Sequence, residues 1–372
     1  MTPSPSKLQN LPPDQLDWER LIPMIGRANR ALARFEGILT ALPNPALLLS
    51  PLTVREAVLS SRIEGTQATV GEVLRFEAGD APQQDSRLQD IHEIQNYRAA
   101  LRTADRELAR KPLGLNLLRT LHGVLMNSVR GRDRAPGEFR RIQNWVGPPG
   151  STIDRATFVP PPPEVLLGYL SSWEKYYHAD QPDPLVQLAV LHGQFELIHP
   201  FFDGNGRLGR LIIPLYLYEK KLLSQPMFYL SDWLERHRTD YYRNLRELSA
   251  SPPAWNAWVS FFLTGMEAQA HANVKTAASI LALYERLKDR ILEISRSTWS
   301  IRLLDAIFRS PVFTSSSLNL RKPAPTRPAL NNLLRTLQSD GILKVLQEGS
   351  GSRGTVYALG ELLKITEATR LT

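Results

Sequence analysis

Apolar positions recur three and four residues apart through most of the chain up to about Arg296, the periodicity of one buried helix face, while strict alternation is scarce before the last quarter. The pattern predicts helices over Asp17 to Leu42, Thr53 to Glu64, Val70 to Phe76, Leu88 to Lys111 and Leu115 to Val129. It resumes over Pro163 to Tyr177, Pro184 to Ile198, Leu208 to Leu223, Asp232 to Ala250 and Trp255 to Arg296. Gly65 stops the second of these, and Thr66 is placed to cap the next. Two stretches break the rhythm. Met1 to Gln15 is proline-rich and reads as a mobile arm, and Arg130 to Pro163 is rich in Gly, Pro and Arg. An irregular segment of that length within a folded body is usually functional, and Ser151 to Val159 has the makings of a short hairpin lying over a site.

The last part changes character. From Arg296 to Arg335 the bases are Arg296, Arg302, Arg309, Arg321, Lys322, Arg327 and Arg335, against Asp305 as the acid. Helix Ile301 to Phe308, a turn at Ser315 to Ser317, a helix from Arg327, and strands Leu343 to Leu346 and Val356 to Leu359 follow one another in the order of a winged helix. The expected division is a helical N-terminal region (1–110), a core (111–265), a linker helix (266–298) and a winged-helix domain (299–372).

At 372 residues with 42% hydrophobic content, the chain has ample material for a core plus an appendage. Lys and Arg number 45 against 37 Asp and Glu, a net +8 that suits an anionic partner. Cysteine is absent, which excludes disulfides and thiolate chemistry. No run is apolar enough to span a bilayer and the N-terminus lacks the pattern of a secretion signal, so a cytoplasmic protein without membrane contact is expected.

The densest chemistry is HPFFDGNGRLGR, His199 to Arg210, at the junction of two predicted helices. It combines a proton acceptor, a carboxylate, a glycine-flanked backbone nest at a helix N-terminus and two arginines, the set that a nucleoside triphosphate needs. This run resembles the signature of Fic-domain proteins, whose commonest activity is transfer of AMP from ATP to a protein hydroxyl. LHGQFELIHPF before it, PGEFRRIQNWVG at Pro136 to Gly147, and the prolines after Val159 resemble Fic sequence as well, over roughly Leu16 to Leu263. The implied fold is mainly α, a Fic-type helical core with a short β-hairpin flap, followed by the winged helix.

The resemblance and the residue chemistry assign roles together. His199 is the general base for a Tyr, Thr or Ser hydroxyl, kept neutral by Arg207 and Arg210. Asp203 is the ligand for Mg²⁺. Gly204, Asn205, Gly206, Arg207, Leu208, Gly209 and Arg210 bind ATP, with the Asn205 amide and both arginines on phosphate oxygens, and Tyr241 and Tyr242 fall where related proteins contact the adenine. Ser60-Ser61-Arg62-Ile63-Glu64-Gly65 resembles the Fic inhibitory motif: Glu64 pairs with Arg210 and Ser60 bonds the Asn205 region. Ile153, Asp154, Arg155, Ala156, Thr157 and Phe158 form a flap that docks a target by strand addition. Phe201 anchors the loop, and His192 and Glu196 read as packing residues. The partners implied are a hydroxyl-bearing protein substrate and the chain itself, with a homodimer left open. Two alternatives stand beside this reading. One is a Fic enzyme that transfers another phosphate-containing group or removes AMP; the other is a DNA-binding regulator with the Fic core as ligand sensor.

Overall fold

The computed structural model describes residues 4–128, 133–148, 150–250, 252–320, 322–350 and 354–367. In chain order its helices are α1 (Trp18–Ala41), α2 (Pro45–Leu48), α3 (Ser50–Ile63), α4 (Val70–Glu77), α5 (Asp85–Leu108), α6 (Leu115–Leu125), α7 (Pro163–His178), α8 (Pro184–Ile198) and α9 (Asn205–Glu219). They continue with α10 (Ser231–Arg236), α11 (Arg238–Leu248), α12 (Trp255–Ser295), α13 (Ser300–Arg309), α14 (Arg327–Ser339) and α15 (Gly360–Glu367). The strands β1 (Val312–Thr314), β2 (Lys344–Gln347) and β3 (Val356–Ala358) lie late in the chain, so the described residues are mainly helical with one small sheet. Among the described residues no helix is long and apolar enough to cross a membrane.

The chain divides into two compact units that interleave in sequence. The first takes the chain up to Glu36, Leu59–Gly65 and Gln95–His271; the second takes Gly37–Val58, Thr66–Ile94 and the chain from Ala272.

In the first unit α8 is the axis. It is apolar all round, and from Leu185 to Ile198 every residue is buried, as befits a helix enclosed on all sides. Its start is fixed by Asp183, whose Oδ1 accepts the N–H groups of Leu185 and Val186 at 2.9 Å, with Pro184 preset for the first turn. Gln187 on α8 is bonded internally, donating to Ala179 O at 2.9 Å and accepting the Tyr216 hydroxyl at 2.6 Å. Trp258 presses so close to Gly193 that an added Cβ would lie 2.7 Å from its Nε1, so this turn admits only glycine. Helices α7, α9 and α11 pack on α8, and α6 packs on α9.

Three expectations change in this unit. The arm is strapped down: Ser6 N–H donates to Val159 O (2.9 Å), Leu8 N–H to the Tyr169 hydroxyl (3.1 Å), and Gln9 O accepts from Gln194 (3.0 Å). The expected helix Asp232 to Ala250 divides into α10 and α11 at His237, where ψ turns to 28° and the ring stacks on Trp233. The flap is not a two-stranded hairpin. Ile153–Arg155 is a single 3-10 turn, and the segment closes through one antiparallel bridge, Val146 to Phe158. Prolines on both sides remove the donors that longer pairing requires.

In the second unit α13, β1, a turn at Ser315–Ser317, α14, β2 and β3 follow in sequence, and the sheet order is β1-β3-β2, antiparallel throughout. Helix α4 is capped by Thr69 rather than by Thr66: Glu72 N–H donates to Thr69 Oγ1 (3.2 Å) and Thr69 N–H to Glu72 Oε2 (2.7 Å), a reciprocal capping box. Arg321 lies outside the described residues.

Candidate active site

The loop His199 to Gly204 joins the end of α8 to the start of α9, and two residues make the reversal. His199 closes α8 in the left-handed region (φ 48°, ψ 59°), unusual for a residue with a side chain, and Gly204 opens α9 at φ 76°. Glycine is required at 204 twice over, because a Cβ there would lie 2.8 Å from Met126 Sδ. Phe201, fully buried, anchors the loop by stacking on His122 with ring centroids 3.8 Å apart. The Asn205 carboxamide brackets the same residue, accepting Phe201 N–H and donating to Phe201 O, both at 2.8 Å. Both of its polar groups therefore hold the loop closed, in place of the phosphate contact expected for it.

The first turn of α9 borders a cavity of about 510 Å³ whose walls include His199, Gly206, Arg210, Glu64, Tyr241 and Tyr242. Leu208 does not share this role. Its N–H is already given to Gly204 O (3.0 Å) and its side chain lies in the core. Gly209 likewise faces inward, where its missing Cβ makes room for Glu196: a Cβ would stand 2.3 Å from Glu196 Oε1. Arg207 is buried, with Nη2 3.8 Å from Asp203 Oδ1.

Glu64 sits over the N-terminus of α9. A Cβ at Gly206 would lie 2.1 Å from its Oε1, so the carboxylate occupies the place where the helix dipole and free N–H groups favour an anion. There it accepts from Arg210 Nη2 at 2.6 Å. Ser60 joins the same guanidinium, its Oγ accepting from Nε at 3.0 Å and its carbonyl from Nη2 at 2.8 Å. Ser60 thus bonds Arg210, not the Asn205 region, because Asn205 is committed to Phe201. The end of α3 is held as well: Arg238 Nη2 (2.8 Å) and the Tyr242 hydroxyl (3.4 Å) both donate to Ile63 O.

His199 Nδ1 lies 3.2 Å from Glu196 O, and a carbonyl only accepts, so Nδ1 carries the proton and Nε2 keeps its lone pair. Burial pushes the pKa of this imidazole below its ordinary value; the Glu196 carbonyl opposes the shift and the charge of Arg140 assists it. The neutral form is therefore kept by burial and Arg140, rather than by Arg207 and Arg210. Beneath it, His192 Nδ1 donates to Gly209 O (3.2 Å) while Nε2 accepts from the Tyr241 hydroxyl (3.0 Å). Glu196 adjoins Tyr241, and burial raises its carboxyl to about 7. Tyr241 is thus tied into the core, and Tyr242 is the more exposed of the pair.

Thr157 and Phe158 reach the cavity wall with Val146, whereas Asp154 and Arg155 point to solvent. Asp203 is half exposed, with Oδ1 accepting Gly204 N–H at 2.6 Å. Among the described residues no cluster of three or more His, Asp or Glu is placed to hold a metal. Its single carboxylate matches the donor set of Mg²⁺, which takes one or two carboxylates and completes its shell with phosphates and water.

Sequence reasoning missed two residues that shape the loop. His122 on α6 lies 2.9 Å from Asp203 O through Nε2 and accepts Gly137 N–H through Nδ1 at 2.9 Å; burial lowers its pKa to about 4. Arg140 donates through Nε to His199 O at 3.0 Å.

Residues 22–106 match the Fic/DOC family N-terminal region, and residues 112–217 match the Fic/DOC family domain. The chain is a Fic-domain protein. The second match ends within α9 and contains the whole loop from His199 to Arg210. A probable protein adenylyltransferase of Aquifex aeolicus is 34% identical over 93 residues, 25% of this chain and 27% of its own length. The Aedes aegypti protein adenylyltransferase Fic is 38% identical over 80 residues, 21% of this chain and 14% of its own length, so the likeness spans a minor part of these relatives. Among solved structures, a Fic family protein from Desulfovibrio desulfuricans G20 has a TM-score of 0.59 at 20% identity, covering 96% of this chain and 98% of that one. Fic-1 from C. elegans has a TM-score of 0.53 at 16% identity, covering 71% and 74%. At these identities the structural likeness establishes the fold.

Proposed function

We propose that this Fic-domain protein is a protein adenylyltransferase, taking AMP from ATP to a Tyr, Thr or Ser hydroxyl of a protein, itself included, and restrained in cis by Glu64. The observation that carries the proposal is the seat of Glu64: a carboxylate on the anion position of α9, holding Arg210 at 2.6 Å in a cavity that also receives His199. A phosphate chain entering that cavity competes for the same guanidinium and for the space beside Gly206. The names of the partial relatives support the reaction class.

In this reading the hydroxyl oxygen forms a bond to Pα, its proton passes to His199 Nε2, and the Pα–O bond to the β-phosphate breaks to release pyrophosphate. Gly206 and its neighbours offer backbone N–H groups to the phosphates, Arg210 adds a charged fork once Glu64 withdraws, and Thr157 and Phe158 offer backbone to the target segment. Asp203 would hold Mg²⁺, which when bound neutralises charge on the phosphates. The test is parallel incubation of the Glu64→Gly protein with α-labelled and γ-labelled ATP, His199→Ala serving as the inactive background. Label retained from the α position alone is the expected result. Retention from γ means phosphoryl transfer, and no retention from either sinks the enzyme reading.

A second reading attaches to the second unit. Its order of helix, strand, turn, helix and two strands is that of a winged helix, and exposed Lys322, Arg327 and Arg335 lie at or along α14, as a DNA-phosphate contact needs.

A further inference from the structure

Arg140 is 4% exposed, and among the described residues no carboxylate stands within ion-pair distance of it. The charge of Glu164 acts on it from beyond ion-pair distance and its Nη1 is buried without a hydrogen-bond partner, so the bonds made by Nε and Nη2 have to account for its presence. They go to backbone carbonyls. Nε donates to His199 O at 3.0 Å, Nη2 to Ile198 O at 3.4 Å and to Pro161 O, and the Arg140 backbone N–H donates to Pro200 O at 2.9 Å. One side chain therefore caps the C-terminal carbonyls of α8, where positive charge is favoured, and reaches the segment just after the flap. The residues after it extend the tie: Gln143 donates to Pro160 O at 3.0 Å and Asn144 to Phe201 O at 2.9 Å. His199 needs such support, because left-handed geometry is strained for a non-glycine residue and persists only where its surroundings fix it.

We propose that Arg140 is a positioning residue for the transfer reaction: it holds His199 in its left-handed geometry at the end of α8 and ties that turn to the flap, thereby setting where base and docked hydroxyl meet. The proposal rests on the adenylyltransferase reading. It separates Arg140 from the residues that hold phosphate, since none of its contacts faces the N-terminus of α9. Its loss therefore acts on the chemical step and spares nucleotide binding.

The test uses the full chain carrying Glu64→Gly, with Arg140→Lys and Arg140→Met added separately. Lysine keeps the charge but has only one nitrogen to offer; methionine fills the space and removes the charge. Measured are kcat and KM for label transfer from α-labelled ATP, ATP affinity by calorimetry, and amide hydrogen exchange at Arg140, His199 and Phe201. The expected result for Arg140→Lys is kcat lower by roughly 10- to 100-fold, as for a base misplaced by about an ångström, with faster exchange at His199. ATP affinity should remain within about twofold of the parent. An unchanged kcat, or a loss of kcat matched by an equal loss of ATP affinity, overturns the proposal. Should Arg140→Met fail to fold, Arg140→Lys decides alone. If the Glu64→Gly parent itself transfers no label, the adenylyltransferase reading fails, and exchange then judges Arg140: unaltered protection of His199 in Arg140→Lys overturns its positioning role.

Discussion

In the adenylyltransferase reading Arg210 is the residue on which restraint and activity meet, because its guanidinium, almost wholly buried, has Glu64 and Ser60 as partners at the spot a phosphate chain would claim. Glu64→Gly is expected to raise self-modification roughly 10-fold or more, the scale of a charge-assisted bond released, and adding Arg210→Ala is expected to cancel the gain. Labelled-ATP assays on both variants check this, and independent, additive effects would break the coupling. Glu196 gives a different kind of prediction. Its carboxyl, which feels Arg210, Glu64 and Tyr241, is pushed from 4.5 up to about 7 by burial, so between those values the folded chain keeps a proton that the unfolded chain has released. The stabilisation is complete below 4.5 and fades as pH rises through about 7. Glu196→Gln should therefore become more stable relative to wild type across that interval. His122 and His192, lowered to about 4 and about 3, tilt stability the other way, but do so in both proteins and cancel in the difference. Thermal melts over this range suffice, and a constant difference would contradict the buried proton. The contiguous motif was legible because its chemistry lies within one loop. Arg140, His122 and the titration of Glu196 were not, since each depends on contacts made far along the chain, such as Arg140 with His199 and His122 with Asp203.

At the scale of elements, the proposed restraint depends on where α3 ends. Its last carbonyl, Ile63 O, receives Arg238 and Tyr242, and the next residue is Glu64, so these bonds fix the place from which the carboxylate reaches α9. Arg238 is exposed, and such a contact is worth a fraction of a kcal/mol to about 1 kcal/mol. Arg238→Ala is therefore expected to raise basal transfer about two- to fivefold, well short of Glu64→Gly. A gain equal to that of Glu64→Gly would mean that the end of α3, and not the carboxylate, carries the restraint. Strongly periodic helices were readable from sequence, α8 to the residue, because a continuous apolar surface bounded by Asp183-Pro184 and His199-Pro200 leaves little choice. The short α2, the terminal α15 and strand β1 escaped: four, eight and three residues are too few for a period to declare itself. The arm was misread as mobile because its anchors, Val159 O, Tyr169 and Gln194, are remote in sequence, and proline content says nothing about them.

Across the whole molecule, the surplus of +8 bears on anionic partners beyond the proposed nucleotide cavity. Several arginines are already paired with carboxylates and add little to it: Arg210 with Glu64, Arg290 with Asp340, and Arg286 with Glu361. Lys322, Arg327, Arg335 and Lys344 in the second unit are exposed, and of these Arg327 and Arg335 belong to α14. If α14 reads a duplex, each phosphate it neutralises releases counter-ions. Three to five such contacts then give a slope of about −3 to −5 in log affinity against log salt. Retention on duplex DNA is accordingly expected to fall steeply between low and physiological salt, and to lose about one unit of slope with Arg327→Ala. The measurement is an anisotropy titration of the full chain at several salt concentrations, with ATP absent so that the first unit does not compete for the signal. Binding that ignores salt, or a slope that Arg327→Ala leaves unchanged, would turn the second unit from a DNA reader into a protein-docking module, since protein contacts of a small winged fold do not depend on releasing ions from a phosphate backbone.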